Sequence, residues 1–291
     1  MIGPANRWDQ LVQSIHYDEV GIAIGVVGRF RLRTVFQPVY HRQDNALRPA
    51  LLRASTIVQR DGLPASLVAL SELESIPRRL LQRLSALLAL HNHGHADLNS
   101  LDLYLESATE LLGHPDALAD ALRGPSMEME EAGIAPGQIV CELLPGTIDL
   151  SAARSASVAL RRHGVRVAIA HSRADEPVAA LLQAISPEIV RIDHHWLVRL
   201  YGHPSSRSLL RPLVNSIQLA GARVLMEGLD TTESLSAALQ SEANYLQGDR
   251  LHAASLAGSL MNPAILSAQD FVAPTNVIPL RTTASKLQRD Q

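Results

Sequence analysis

The feature that most limits the fold of this chain is a regular alternation of short apolar segments with helical segments over its second half. The predicted strands cover residues 139–143, 165–170, 189–192, 224–226 and 245–246, and the predicted helices cover 151–163, 177–185, 206–220 and 232–240. Only a few residues connect one segment to the next, which is typical of a parallel sheet. The pattern predicts an α/β fold, a (β/α)8 TIM-like barrel.

The first half of the chain is less regular. It predicts strands over 20–27, 34–40 and 94–99, and a helical stretch over 63–90 that is interrupted at Pro77. Gly164 and Gly221 each follow a predicted helix and precede a predicted strand. We therefore expect both glycines to adopt the left-handed conformation that ends a helix.

The chain length agrees with this fold. A barrel of about 250 residues with short extensions accounts for the 291 residues of the chain. We predict an N-terminal extension at 1–30, a barrel domain at 31–270 and a C-terminal tail at 271–291.

Composition excludes several classes of function. Hydrophobic residues make up 46% of the chain, enough for a large core, while the net charge of −3 provides no positive field for direct nucleic-acid binding. The single cysteine, Cys141, excludes an internal disulfide framework. The sequence contains neither an apolar run of roughly 18 residues nor a basic, then apolar, N-terminus, so we expect a cytoplasmic protein without a membrane span.

Polar residues follow several of the predicted strands. In a (β/α)8 barrel, the carboxyl ends of the strands meet at one rim, and that rim carries the chemistry. Any single one of these residues is better explained as a helix N-cap or a hydrogen-bonded strand end, but their number favours a site. The residues at these strand ends are Gln37, Asn99, Glu142, Ala170 with His171, Asp193, Glu227, Asp230 and Gln247.

In order, these motifs resemble the EAL domain, the phosphodiesterase fold that acts on cyclic di-GMP. The resemblance runs from about residue 34 to 254. It rests on VFQPVY with Gln37, PALLR from Pro49 to Arg53, DLNSL with Asn99, CELLP with Glu142, AHSR from Ala170, RID from Arg191, EGLD from Glu227 to Asp230, and Gln247-Gly248. The resemblance implies that residues 31–270 form a barrel of the EAL type.

The sequence departs from the family at the residues that carry its chemistry. The resemblance implies that active members hold two divalent cations and a water between them. Oxygen ligands are lost at Pro49, Ala170 and His171, the family lysine is Arg191, and a family glutamate is Asp230; the remaining ligand positions are Asn99, Glu142 and Glu227. Because two cations need several hard oxygen ligands, we predict a degenerate domain that holds no metal or cofactor and is not an enzyme.

Three functions follow from the resemblance. The first is an inactive regulator that controls, by repression, gene expression through a protein partner, a transcriptional or signalling regulator. The second is a metal-independent receptor in which Gln37, Arg53 and Gln247 bind cyclic di-GMP, because an arginine can hold a phosphate without a metal. The third is a weak cyclic di-GMP phosphodiesterase. The resemblance also suggests a homodimer.

Overall fold

The computed structural model describes residues 12–95, 98–106, 133–144, 149–171, 178–193, 197–198 and 209–271. The strands are β1 Ile15–Tyr17, β2 Ala23–Val27, β3 Phe30–Gln43, β4 Ala46–Arg60, β5 Leu63–Ala65, β6 Asp102–Leu105, β7 Ile139–Leu143, β8 Arg166–His171, β9 Ile189–Ile192, β10 Arg223–Met226, β11 Tyr245–Leu246, β12 Ser255–Leu256 and β13 Leu266–Ser267. The helices are α1 Leu67–Leu73, α2 Arg78–His93, α3 Leu150–Arg162, α4 Val178–Ile185, α5 Leu210–Leu219 and α6 Thr232–Gln240.

Eight of these strands close into a barrel, as the alternation predicts. Their order is β3, β4, β6, β7, β8, β9, β10 and β11, and β11 pairs back onto β3. The prediction of a parallel sheet is wrong for β3, which is antiparallel to both of its neighbours. Only Asp44 and Asn45 separate β3 from β4, and Asp44 has a φ of +53°. A turn this short forces antiparallel pairing.

β3 and β4 are much longer than the other barrel strands, at 14 and 15 residues. Their ends beyond the barrel pair with β2 and β5, and β1 completes an antiparallel sheet. On one face of this sheet α1 and α2 bury an apolar cluster that includes Phe30, Leu32 and Val58. The sheet thus extends beyond the open end of the barrel, and two helices pack against one of its faces.

Two predicted elements in this region need correction. The stretch over 63–90 begins with β5, and α1 starts only after Ser66, whose hydroxyl accepts the N–H of Ala69. The interruption at Pro77 is confirmed, since α2 begins at the next residue. The predicted strand over 94–99 is wrong at the four of its residues that the structure describes, 94, 95, 98 and 99, which lie in turns. α2 continues to residue 93, and the chain then turns before β6, with the N–H of Leu101 donating to the carbonyl of Leu98.

The two glycine caps are confirmed. Gly164 and Gly221 have φ angles of +77° and +92°. After α3, the N–H of Val165 donates to the carbonyl of Leu160 at 3.1 Å, a hydrogen bond typical of a left-handed helix end. Each glycine therefore turns the chain directly into the next barrel strand.

The barrel interior is packed below its open end. One side chain from each barrel strand contributes to an apolar layer: Val39, Leu51, Tyr104, Val140, Ala168, Ile189, Leu225 and Tyr245. A second core fills the space between the barrel and its outer helices. Among the described helices, none combines the length and the apolar character needed to cross a membrane.

Candidate functional site

Directly above the apolar layer, the barrel interior carries mostly polar side chains, which we call the polar layer. Side chains alternate between the two faces of a strand, so the residue two positions nearer the open end shares the inner face. This step leads from Leu51 to Arg53 on β4 and, in the reverse chain direction, from Val39 to Gln37 on β3. The polar layer consists of Gln37, Arg53, Glu106, Glu142, Ala170, Arg191, Glu227 and Gln247.

Arg191 on β9 binds two carboxylates of the polar layer. Its Nε donates to Oε2 of Glu142 at 2.5 Å, and its Nη2 donates to Oε1 at 3.0 Å, which makes a bidentate pair. Its Nη1 donates to Glu227 and lies 3.6 Å from Oδ2 of Asp193. The hydroxyl of Tyr104 donates to Glu142 at 2.6 Å. The side chain of Glu142 is 1% exposed, so solvent does not screen this pair.

Ala170 makes this pairing sterically feasible. It lies on β8, between the strands of Glu142 and Arg191, and it is the direct neighbour of Arg191 in the sheet. Its side chain ends at Cβ, so Arg191 can reach across β8 to the carboxylate. A residue predicted as a lost metal ligand therefore leaves space that an arginine uses.

Arg53 on β4 forms the second half of the polar layer. Its Nη1 donates to Glu227 and, at 2.9 Å, to Oε1 of Gln247, while its Nη2 lies 2.6 Å from Oε1 of Glu106. The side chain of Arg53 is 13% exposed. Its Nε is buried and has no hydrogen-bond partner among the described residues. Glu227 thus bridges the two arginines.

Two glutamines extend this network toward the rim. Nε2 of Gln247 donates to Oε1 of Gln37 at 2.7 Å. Nε2 of Gln37 donates to Oδ1 of Asp249 and to the carbonyl of His252, both at 3.0 Å. The structure therefore brings Gln37, Arg53 and Gln247 together, and their binding of a ligand stays a prediction.

The charges of the polar layer shift one another's pKa values. Burial raises the pKa of Glu142, but the charge and hydrogen bonds of Arg191 outweigh burial and the net shift is downward. Burial lowers the pKa of Arg191 and of Arg53, yet their carboxylate partners raise both above the ordinary value. Burial raises the pKa of Glu106, and the charge of Arg53 opposes this only in part. Glu142 and both arginines are accordingly ionised near neutral pH.

The residues of the polar layer do not fit the two divalent cations that the resemblance implies. Both oxygens of Glu142 and both oxygens of Glu227 already accept hydrogen bonds from arginines. A guanidinium group stays protonated and offers no lone pair to a metal. Among the described residues, no three His, Cys, Asp or Glu side chains are placed to hold a metal ion. Cations would have to displace Arg191 and Arg53 to reach these carboxylates.

Three other predicted positions lie away from this network. Pro49 is on β4, opposite Tyr40 at a β-bulge, and has no side-chain oxygen. His171 is buried at the end of β8, where strand alternation turns it to the face opposite Ala170, and burial lowers its pKa. Asp230 is exposed after β10, and its Oδ1 accepts the N–H of Asp249 at 2.9 Å. Asp230 thus orders a rim loop.

Asn99 is the one predicted ligand that the structure moves out of the barrel. It is exposed in the turn before β6, at the end opposite the polar layer. The residues here that reach the site are Tyr104 on β6 and Glu106 directly after it, and neither belongs to the motifs quoted from the sequence. The signal for them was present as the alternation in the segment LDLYLE, where every second residue is apolar.

Comparisons with known proteins agree with this geometry. The family model for the EAL domain matches residues 25–253. A search of curated proteins found no match. Solved structures match at low sequence identity, which shows the fold alone.

Three of these structures illustrate the match. Klebsiella pneumoniae BlrP1, solved with manganese and cyclic di-GMP, has a TM-score of 0.67 and 19% identity over 81% of this chain and 59% of its own. The FimX EAL domain from Pseudomonas aeruginosa, bound to cyclic di-GMP, has a TM-score of 0.66 and 16% identity over 79% of this chain and 93% of its own. Bacillus subtilis YkuI, solved with cyclic di-GMP and calcium, has a TM-score of 0.66 and 18% identity over 82% of this chain and 59% of its own. This chain therefore spans 59% of the BlrP1 and YkuI chains.

Proposed function

Since the chain belongs to the EAL domain family of cyclic di-GMP phosphodiesterases, we propose that it is a member without that activity, which controls gene expression through a protein partner. The observation that carries the proposal is that arginines already pair with the carboxylates of the polar layer. Arg191 and Arg53 bind Glu142 and Glu227, the carboxylates that a metal pair would need.

The chemistry of hydrolysis supports the first half of the proposal. Phosphodiester hydrolysis by two metals needs a bound water whose pKa the cations lower. Pro49 and Ala170 provide no ligand oxygen, and Arg191 cannot accept a proton because its guanidinium stays charged. None of the other described side chains of the polar layer is a free general base, because its three glutamates are ion-paired with arginines and Gln37 and Gln247 are amides.

A direct assay tests the loss of activity. The purified chain is incubated with cyclic di-GMP and Mg²⁺ or Mn²⁺, and linear dinucleotide is measured by chromatography. We expect no product above a blank that contains only the metal. Product that rises in proportion to protein concentration, and that the Glu142→Gln variant fails to form, would show a weak phosphodiesterase and contradict the proposal. Equal product from both proteins identifies a contaminating enzyme.

The second half of the proposal concerns a transcriptional or signalling regulator as partner, with repression as the result. The net charge of −3 supports an indirect route, because direct DNA binding depends on a positive surface. The test compares transcripts in a strain without the chain and in the same strain supplied with it. We expect transcripts of a set of genes to rise in the strain without the chain and to fall again when the chain is supplied. Unchanged transcripts would contradict regulation, and a rise in cellular cyclic di-GMP on deletion would point to an enzyme.

A cyclic di-GMP receptor is the second candidate. It is favoured by the adjacency of Gln37, Arg53 and Gln247 at the barrel mouth and by the cyclic di-GMP bound in the BlrP1 and FimX structures. Arg53 would first have to release Glu106 and Glu227 to hold a phosphate. Calorimetric titration with cyclic di-GMP, without divalent cations, separates the two candidates. If wild type binds cyclic di-GMP, and Gln37→Ala abolishes binding while the variant keeps the melting temperature of wild type, the chain is a receptor. If wild type releases no heat of binding, the regulator without a ligand is the remaining candidate.

A further inference from the structure

The sheet that extends beyond the barrel has one face turned away from α1 and α2. On β3, Phe30 and Leu32 pack toward α1 and α2, and Val58 does the same on β4. Because side chains alternate along a strand, Arg31 and Arg33 lie on the opposite face. We call this opposite face the open face, and it consists of Ile24, Val26, Arg31, Arg33, Ile57 and Gln59.

Strand register makes the open face continuous. Arg31 lies between Val26 on β2 and Gln59 on β4, and Arg33 is paired with Ile57. Ile57 is 38% exposed although it is aliphatic. The open face is therefore a pair of arginines flanked by aliphatic side chains, except that Gln59 lies on one side of Arg31.

The two arginines carry charge that the described protein does not neutralise. The side chains of Arg31 and Arg33 form no hydrogen bond or ion pair with a described residue. At the tip of the sheet, the carboxylate of Asp61 is bound to Arg29 at 2.9 Å. The open face consequently has two positive charges without a matching carboxylate.

The tip of the open face is concave. A cavity of about 440 Å³ is lined by Val26, Arg31 and Gln59 together with residues of the two neighbouring turns. At its other end, the open face continues the inner side of β3 and β4 down to Gln37 and Arg53 in the polar layer. An extended segment lying on the face would run from the tip toward the barrel mouth.

We propose that the open face binds an extended acidic segment of the partner protein, a proposal that rests on the proposed function. Arg31 and Arg33 are two positions apart on a strand, a repeat of about 6.6–6.8 Å. Carboxylates at alternate positions of an extended peptide have the same repeat, so two of them can pair with both arginines. The flanking Ile24, Val26 and Ile57 receive apolar side chains beside them. Single-stranded nucleic acid is disfavoured because the face has no aromatic side chain for base stacking.

A peptide titration tests the surface directly. The probe is a fluorescein-labelled peptide in which glutamate alternates with valine, and its binding to the full chain is followed by fluorescence anisotropy. We expect binding that weakens with added salt and that falls about tenfold or more in the Arg31→Glu/Arg33→Glu variant. The matched control is Arg48→Glu, which changes an exposed arginine at the opposite end of β4 and should leave binding unchanged.

Several outcomes would overturn the proposal. These are no binding by the wild-type chain, equal loss in the variant and the control, or equal binding of a peptide with lysine in place of glutamate. The transcript assay separates this surface from the proposed function. Regulation that persists in the folded Arg31→Glu/Arg33→Glu variant refutes the surface alone, whereas a wild-type chain that regulates nothing refutes the proposed function.

Discussion

Replacing Arg191 by methionine tests the internal ion-pair network most directly. Methionine keeps much of the volume of the arginine stem but removes the guanidinium group. Glu142 then loses both of its arginine hydrogen bonds and keeps only the hydroxyl of Tyr104. Glu227 loses one partner and keeps Arg53.

The magnitude follows from burial. Glu142 is almost fully buried, so the change leaves an uncompensated carboxylate inside the barrel. Removing one partner of a buried ion pair costs about 3–5 kcal/mol. That is a large share of the roughly 5–15 kcal/mol that stabilises a typical folded protein. We therefore expect Arg191→Met to remain folded with a much lower free energy of unfolding.

Urea unfolding, followed by circular dichroism, measures this loss. The control is Arg29→Met, because the Arg29–Asp61 pair is 69% and 47% exposed and should change the free energy of unfolding by no more than about 1 kcal/mol. Adding Glu142→Leu to Arg191→Met removes the stranded charge and should recover most of the loss. If Arg191→Met is as stable as the control variant, the buried network does not exist as described and the argument against metal binding fails with it.

Three further predictions concern the same scaffold. Arg191 holds the pKa of Glu142 below its ordinary value of 4.5, so the stability that the ionised Glu142 contributes is present above that pH and is lost as the pH falls through the folded-state pKa. The difference in free energy of unfolding between wild type and Glu142→Gln, measured by urea titration, should therefore narrow from pH 6 to pH 3. A constant difference would contradict this. Gly248→Ala should cost about 1–3 kcal/mol or more in thermal unfolding, because its Cβ would collide with the backbone of Leu229, and an unchanged melting temperature would refute that close approach. Gly221→Val should lower the free energy of unfolding by on the order of 1 kcal/mol or more, because Gly221 has a φ of +92° although its surroundings are open. Gly137→Ala, also in open space but without a positive φ, should not lower it. Equal melting temperatures for the two variants would contradict a helix end at Gly221.

Several elements were predictable because their signal is local. The strands around Val167 and Val190 are short apolar runs, and Gly164 and Gly221 end helices by a backbone property of glycine itself. The absence of a side-chain oxygen at Pro49 and Ala170 is likewise visible in the sequence, because it depends only on residue identity.

Other elements depend on partners that are distant in the chain. No strand is predicted over Ala46–Arg60, where Pro49 and scattered polar residues break the apolar pattern, yet the segment is a strand because β3, β5, β6 and β13 pair with it. Asn99 was assigned to the site from its motif. Instead, Tyr104 on β6 and Glu106 directly after it contact the side chains of the polar layer.

The sequence by itself determined that this chain forms a barrel of alternating strands and helices and that Pro49 and Ala170 have no side-chain oxygen. Only the tertiary structure decided which side chains Glu142 and Glu227 pair with. Arg53 and Glu227 are 174 residues apart, and Arg191 and Glu142 are 49 apart. Nothing local links them. They meet because closure of the barrel points one side chain from each strand at a common axis, where burial makes an unpaired charge costly and so favours the arginine–glutamate pairs.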